Sequence, residues 1–271
     1  MKSFFSIITD NKSRKSNKGI TILEDNGIPL NELKNSLPSI EEFTDYVRLR
    51  PSFFISKETT EDRIRQYKNV GVNPFVSGEL FEYAFLNDKL EEYDSFLKHS
   101  GTDYIEISDS ISYISSDEKA DFIDRYTAHY KVFNKIGTKI SKARFRNKDW
   151  KAYLDNKGSA FKTIIEGSNA GALQFINFKP EVRQKLISFI EGLADASELI
   201  WEAPYKEQQI WLIQHFGSEV NLANINIREV LDLESLRNGA DWETMKDFIP
   251  KDKLQNKVRE IDPLQDIDYQ I

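Results

Sequence analysis

Short β-like runs alternate with helical patterns along almost the whole chain. The β-like runs cover residues 20–24, 46–49, 74–76, 104–107, 131–136, 161–166, 199–202 and 220–222. The helical patterns that follow them cover residues 30–37, 61–70, 88–98, 117–130, 148–156, 180–194, 204–216 and 227–238. Strands that alternate with helices pair in parallel through crossover helices. Eight such units in 271 residues predict an α/β fold, a single (β/α)8 TIM-type barrel, with an open doubly wound sheet as the alternative.

The barrel is expected to span residues 18–240, since no Gly/Ser-rich linker interrupts that range. Residues 1–17 are interpreted as an N-terminal arm. Residues 241–271 are rich in charge and are expected to pack on the barrel as a C-terminal extension made of a helix and an arm.

Composition excludes several classes of function. The net charge is −7 and no basic stripe stands out, so no nucleic-acid partner is expected. No apolar run approaches the roughly 20 residues that span a bilayer, and the apolar N-terminal stretch is too short for an export signal, so we expect a cytoplasmic protein. The chain has no cysteine and its three histidines are scattered. Any metal should therefore be a hard, oxygen-ligated ion, with Mg2+ the first choice.

Polar and ionisable residues follow most of the predicted strands, where barrels carry their catalytic groups. Three predicted strands are apolar until they reach a carboxylate, at Glu106, Glu166 and Glu202. One interpretation is a set of buried salt bridges that serve stability alone. So much charge at one end of a barrel nevertheless favours a ligand or a metal, because desolvated charge is costly without a partner.

Several stretches resemble the phosphosulfolactate synthases. The longest begins E-A-P-Y-K-E-Q-Q at residues 202–209 and continues F-G-S-E-V-N-L at residues 216–222. G-E-L-F-E at residues 78–82 and I-E-I-S-D at residues 105–109 resemble two further motifs of that family. The resemblance extends from about residue 15 to residue 239, which is most of the chain.

This resemblance implies a lyase-type reaction, in which sulfite adds to the methylene carbon of phosphoenolpyruvate and gives phosphosulfolactate on a route toward coenzyme M or sulfolactate. It also implies Mg2+ as cofactor, small anionic substrates and a homo-oligomer. The predicted metal ligands are Asp25, Glu106, Asp109 and Glu166. The predicted catalytic residues are Lys139, Lys206 and Glu202. The predicted substrate-binding residues are Arg48, Lys135, Ser108, Asn221 and Asn224.

The chain departs from the family pattern mainly at strand ends. The family's second strand reads near K-F-G-W-G-T, whereas R-L-R-P-S stands at residues 48–52. Its fifth strand ends E-V-G where this chain has Lys135-Ile136-Gly137, and its sixth carries E-A-R-E-S-G where E-G-S-N-A-G stands at residues 166–171. Two alternatives to the family reaction therefore stay open. One is a non-catalytic barrel that resembles the plant heat-stress-associated members of the family, and the other is a barrel enzyme that acts on another phosphorylated small acid.

Overall fold

A computed structural model of the chain describes residues 19–55, 57–112, 114–137, 147–167 and 180–249. Eight parallel strands close into one barrel in chain order. They are β1 (Thr21–Asp25), β2 (Tyr46–Leu49), β3 (Asn73–Val76), β4 (Tyr104–Ile107), β5 (Lys131–Ile136), β6 (Lys162–Ile165), β7 (Leu199–Glu202) and β8 (Leu222–Asn226). Because β1 pairs with β8, the predicted closed barrel is confirmed and the open-sheet alternative is wrong.

Helices connect the strands and cover the outside of the barrel. They are α1 (Leu30–Ile40), α2 (Lys57–Asn69), α3 (Gly78–Leu86), α4 (Leu90–Ser100), α5 (Ser116–Thr127), α6 (Asn147–Asp155), α7 (Pro180–Glu191), α8 (Lys206–Phe216), α9 (Val230–Arg237) and α10 (Met245–Phe248). The helical periodicity did not predict α3. Its sequence GELFEYAFL is apolar at most positions, so periodicity does not single out one face.

The barrel interior changes from apolar to charged along the strands. Side chains alternate between the two faces of a strand, so inward positions recur every second residue. Six strands carry an inward-pointing apolar or aromatic side chain, and two residues later on each strand an inward-pointing charged side chain follows. The apolar members are Ile22, Tyr46, Tyr104, Phe133, Ile164 and Ile200. The charged members, here called the charged layer, are Glu24, Arg48, Glu106, Lys135, Glu166 and Glu202.

The seam between β1 and β8 contains a bulge. Thr21 pairs with Leu222 but Leu23 pairs with Ile225, so β8 contains one extra residue, and Asn224 has a φ of 63°. The strand begins at Leu222, two residues later than predicted.

The described part of the C-terminal extension lies against α8. Lys206 Nζ is 3.2 Å from Asp241 Oδ2, and Gln214 Nε2 donates to Asp247 Oδ2 at 3.0 Å. The predicted N-terminal arm and residues 250–271 lie outside the described residues. Of the helices in the described ranges, none combines the length and the apolar character that crossing a bilayer requires.

Candidate active site

Arg48 lies at the centre of the charged layer and binds three carboxylates. Its Nε and Nη2 both donate to Glu106 Oε2, at 2.9 and 2.6 Å. Its Nη1 donates to Glu202 Oε1 at 2.7 Å and to Glu24 Oε2 at 3.2 Å. The guanidinium thereby joins strands β1, β2, β4 and β7 at the C-terminal end of the barrel. We call this end, formed by the ends of the strands and the loops that follow them, the C-terminal mouth.

Lys135 is the second cation of the layer. Its Nζ lies 2.7 Å from Glu166 Oε2 and 2.8 Å from Glu202 Oε1. Glu202 therefore contacts both cations, and the ion pairs form one continuous network across the interior of the barrel. Side chains from six of the eight strands take part in it.

Two backbone amides complete the network, and both belong to glycines. Gly78 N donates to Glu106 Oε1 at 3.0 Å and Gly167 N donates to Glu202 Oε2 at 3.3 Å. A Cβ atom on Gly78 would lie 2.6 Å from Ser108 Oγ, and one on Gly167 would lie 2.0 Å from the Glu202 carbonyl oxygen. Any side chain at either position would separate the amide from its carboxylate.

The network fixes which groups carry charge. Burial works against the charges of Arg48 and Lys135, but the surrounding carboxylates outweigh it and raise the pKa of both cations. Burial likewise opposes the charge on Glu202, but Lys135 and Arg48 hold its pKa below the usual range. For Glu24 burial outweighs Arg48, so its pKa is raised. The two cations and Glu202 are therefore fixed charges at neutral pH, whereas Glu24 takes up a proton more readily than an ordinary glutamate.

Asp25, a predicted metal ligand, lies outside the charged layer. It accepts from Arg63 Nη1 at 2.6 Å, from Tyr67 Oη at 2.9 Å and from Gly27 N at 2.9 Å. Both side-chain donors belong to α2. Asp25 therefore fixes α2 and the loop after β1, and it points away from the barrel interior because its neighbour Glu24 points inward.

Ser108 and Asp109 are also held by helices. Ser108 Oγ donates to Glu82 on α3, and Asp109 Oδ1 accepts from Lys119 Nζ of α5 at 2.6 Å. Lys119 also donates to the carbonyl oxygen of Lys135. Both predicted site residues thus serve contacts between the loop after β4 and the surrounding helices.

The four predicted Mg2+ ligands do not form one site. Glu106 forms an ion pair with Arg48 and Glu166 forms one with Lys135. Asp25 and Asp109 form ion pairs elsewhere, with Arg63 and Lys119. In the parts of the chain that the structure describes, no group of three or more acidic or histidine side chains could hold a metal ion. The predicted ligand set therefore does not fit a shared Mg2+ ion in this arrangement.

Three further predicted residues, Lys206, Asn221 and Asn224, do not join the charged layer. Lys206 Nζ lies 2.6 Å from Glu243 Oε2, and its side chain is 46% exposed. Asn221 was predicted within the last strand but lies directly before β8. Its Oδ1 accepts from Ile20 N at 2.9 Å and its Nδ2 donates to Leu199 O at 3.0 Å, at the end of the barrel opposite the mouth. Asn224 forms the β8 bulge. Lys139 lies outside the described residues.

The family model for (2R)-phospho-3-sulfolactate synthase, ComA, matches residues 9–242. The chain belongs to this family. Phosphosulfolactate synthase from Methanocaldococcus jannaschii is 30% identical over 240 residues, which cover 84% of this chain and 94% of that relative. Phosphosulfolactate synthase from Bacillus subtilis is 30% identical over 242 residues, which cover 88% of this chain and 95% of that relative. The resemblance seen in the sequence motifs is thus confirmed along the whole barrel.

Solved structures agree with the barrel fold of this synthase family. 3-Hexulose-6-phosphate synthase from Salmonella typhimurium has a TM-score of 0.51 and 12% identity, and the match covers 80% of this chain and 97% of that one. The YdjI aldolase from Escherichia coli K12 has a TM-score of 0.53 and 8% identity, and the match covers 88% of this chain and 91% of that one. Similarity at such low identity shows the fold alone.

Sequence reasoning missed two residues at the mouth of this synthase-family barrel. Glu24 belongs to the charged layer, although the neighbouring Asp25 was selected instead. Strand alternation alone does not single it out, because the inward direction of Ile22, and hence of Glu24 two residues later, is fixed only by the pairing of β1 with its neighbours. In the sequence Glu82 stands out only as the last residue of the G-E-L-F-E motif. In the structure its buried carboxylate holds the loop after β4. No pattern in the sequence indicates that contact, since its partners lie 26 to 30 residues away.

Proposed function

We propose that this chain is a phosphosulfolactate synthase-like lyase that adds sulfite to phosphoenolpyruvate. The observation that carries the proposal is the match of the family model over residues 9–242, which spans every strand of the barrel. The charged layer supports it, because barrel enzymes carry their active sites at the C-terminal ends of the strands.

The reaction forms one bond to carbon and needs one proton. The sulfur lone pair of sulfite bonds to the methylene carbon of phosphoenolpyruvate. The electron pair of the C=C bond then moves to the carbon that bears the phosphate, where the neighbouring carboxylate delocalises it. That carbon takes a proton, the phosphate ester stays intact and no group leaves. The site must therefore hold two anions together, stabilise the delocalised charge and supply a proton.

We assign the second of these requirements to Arg48 and Lys135, the buried cations of the charged layer, whose positive charge the carboxylates they contact offset in part. Their raised pKa values keep them cationic, so they act as fixed positive charges and not as proton donors. Lys206 is a poor proton donor for the same reason, since its hydrogen bond to Glu243 raises its pKa. Lys139 stays the predicted donor. We assign no catalytic step to Mg2+, and a Mg2+ requirement remains a prediction.

An assay of the purified chain tests the proposal directly. The protein is mixed with phosphoenolpyruvate and sulfite, with Mg2+ or with a chelator, and phosphosulfolactate is followed by phosphorus NMR. Formation of the product is expected, and its loss in chelator would establish the metal requirement. Absence of turnover, together with no thermal shift from either substrate, would overturn the proposal. Light scattering tests the predicted homo-oligomer, and fractionation of cells tests the predicted cytoplasmic location.

One observation favours a non-catalytic barrel as the second candidate. Each carboxylate of the charged layer already contacts Arg48 or Lys135, at 3.2 Å or less. A buried network of this kind can serve stability alone. Lys135→Met separates the two candidates. In a non-catalytic barrel it changes only the free energy of unfolding, whereas in the enzyme it lowers kcat under conditions in which the variant is still folded.

A further inference from the structure

Among the residues that the structure describes around the C-terminal mouth, five cations are already paired within the protein. Each of the five lies 2.6 or 2.7 Å from a carboxylate oxygen. They are Arg48, Arg63, Lys119, Lys135 and Lys206. A sixth cation, Arg50, does not follow this rule.

Arg50 makes only long contacts to carboxylates. Its Nε is 3.5 Å from Glu24 Oε1 and its Nη2 is 3.9 Å from Glu79 Oε2. Both distances exceed that of a charged N–H···O hydrogen bond. Within the described residues no carboxylate comes closer to its guanidinium. The side chain is 44% exposed, whereas that of Arg48 is 4% exposed. Solvent, and hence a ligand, can reach this guanidinium.

The position of Arg50 directs it into the mouth. It follows β2 and comes two residues after Arg48, so strand alternation places it on the inward face, one level above the charged layer. The backbone of Arg50 is held in place by the following residues: Phe53 N donates to Arg50 O at 3.1 Å, and a 3-10 turn begins at Pro51. Glu24 and Glu79 flank the guanidinium from the ends of the two neighbouring β/α units.

Charge balance at the mouth explains what such a group does. The charged layer contains four carboxylates, Glu24, Glu106, Glu166 and Glu202, and two cations. This excess of negative charge, which persists when Glu24 is protonated, repels an anion that approaches from solvent. An accessible cation one level above the layer offsets that repulsion, and a guanidinium can also donate two parallel hydrogen bonds to one oxyanion.

We propose that Arg50 is a substrate-binding residue, which contacts an oxyanion group, phosphate or carboxylate, of the substrate at the C-terminal mouth. The identity of the substrate rests on the proposed function, whereas the oxyanion site itself does not need turnover. Arg50 lies within residues 48–52, where the chain departs from the family pattern. The contact sets the preference of the site for anions at this position.

Calorimetric titration of the full chain tests the proposal, with phosphoenolpyruvate and, separately, inorganic phosphate as probes. Arg50→Gln is expected to weaken binding of phosphoenolpyruvate roughly 10-fold or more, because it removes a charge-assisted contact. Arg50→Lys should give an intermediate loss, since it keeps the charge but not the paired donors. The matched control is Arg65→Gln, which removes one charge from the outer surface of α2, where Arg65 is 64% exposed and pairs with Asp62.

The outcomes separate this inference from the proposed reaction. If the wild-type chain binds phosphoenolpyruvate but does not turn it over with sulfite, the reaction is wrong, and a selective loss of binding in Arg50→Gln still supports the inference. If Arg50→Gln binds as tightly as Arg65→Gln, the inference is wrong even if turnover is seen. It is equally wrong if the wild-type chain binds neither probe. With turnover, Arg50→Gln should raise KM for phosphoenolpyruvate more than it lowers kcat, which a purely structural role would not do.

Discussion

Glu202 is the residue that joins the two cations of the charged layer. Arg48 and Lys135 approach the same oxygen, Oε1, at 2.7 and 2.8 Å. Glu202→Gln keeps the shape of the side chain but leaves two buried cations with less negative charge around them. We expect the free energy of unfolding to fall by about 3 kcal/mol, measured by urea denaturation. Glu207→Gln, on the exposed side of α8, is the control. A difference from this control below about 0.5 kcal/mol would contradict the prediction.

Glu24 and Glu202 are predicted to respond to pH in opposite directions. The folded-state pKa of Glu202 is lowered from 4.5, so its contribution to stability is present above that pH and is lost as pH falls. The folded-state pKa of Glu24 is raised from 4.5, so its contribution is present below that pH and is lost as pH rises through the folded value. The difference in the free energy of unfolding between wild type and Glu202→Gln should therefore become smaller at acid pH.

Glu24→Gln should become more stable relative to wild type as the pH rises from 4.5 through the raised folded-state pKa of Glu24, because only the wild type then buries an ionising carboxyl. Urea titrations of both variants over this range measure the two slopes. Slopes of the same sign would show that one of the two pKa directions is wrong.

At the scale of the element, four strands begin and end at the predicted residues: β2, β4, β5 and β7. Each is a short run that contains β-branched or aromatic residues, so the local pattern was sufficient. The last strand was misplaced because Asn224 adopts a positive φ and inserts an extra residue. Such a bulge interrupts the alternation by which a strand is recognised.

Glu82 connects α3 to the loop after β4. Its carboxylate accepts from the backbone N–H groups of Ser110, Ile111 and Ser112, at 2.7 to 3.0 Å, and from the hydroxyls of Ser108 and Ser112. Glu82→Gln removes the negative charge that these donors share. Since a hydrogen bond to a charged group contributes about 1.5–3 kcal/mol, we expect a loss of stability of at least that size.

The same change should speed amide hydrogen exchange at residues 110–112 more than in the strands. Exchange measured by mass spectrometry checks this, with the exposed Glu91→Gln on α4 as the control. Unchanged protection of these three amides would mean that the loop is held by other contacts.

The whole barrel explains why the site was only partly predictable. The sequence indicates that Glu106, Glu166 and Glu202 lie at or near the ends of strands, and closure brings all three into one layer. Their partners depend on that closure, since Arg48 and Glu202 are 154 residues apart. The prediction of Asp25 as a site residue rests on its position after the first strand and on the family resemblance. The inward register, which only the paired strands fix, places Glu24 there instead.

Arg237 of α9 binds three backbone carbonyls beside the β1–β8 seam that closes the barrel. Its Nη1 donates to Gly19 O at 2.5 Å, and its Nη2 donates to Val220 O at 3.0 Å and to Ile20 O at 3.3 Å. These carbonyls flank the β1–β8 seam.

Arg237→Met would leave buried acceptors without their donor, so we expect the free energy of unfolding to fall by roughly 3 kcal/mol or more. Because a closed sheet has no free edge to open first, the urea midpoint should fall while the transition stays single. Arg228→Gln, at a position that is 71% exposed, controls for the lost charge. A midpoint equal to that of the control, or a second transition for the seam alone, would show that the barrel does not depend on Arg237 as a single cooperative unit.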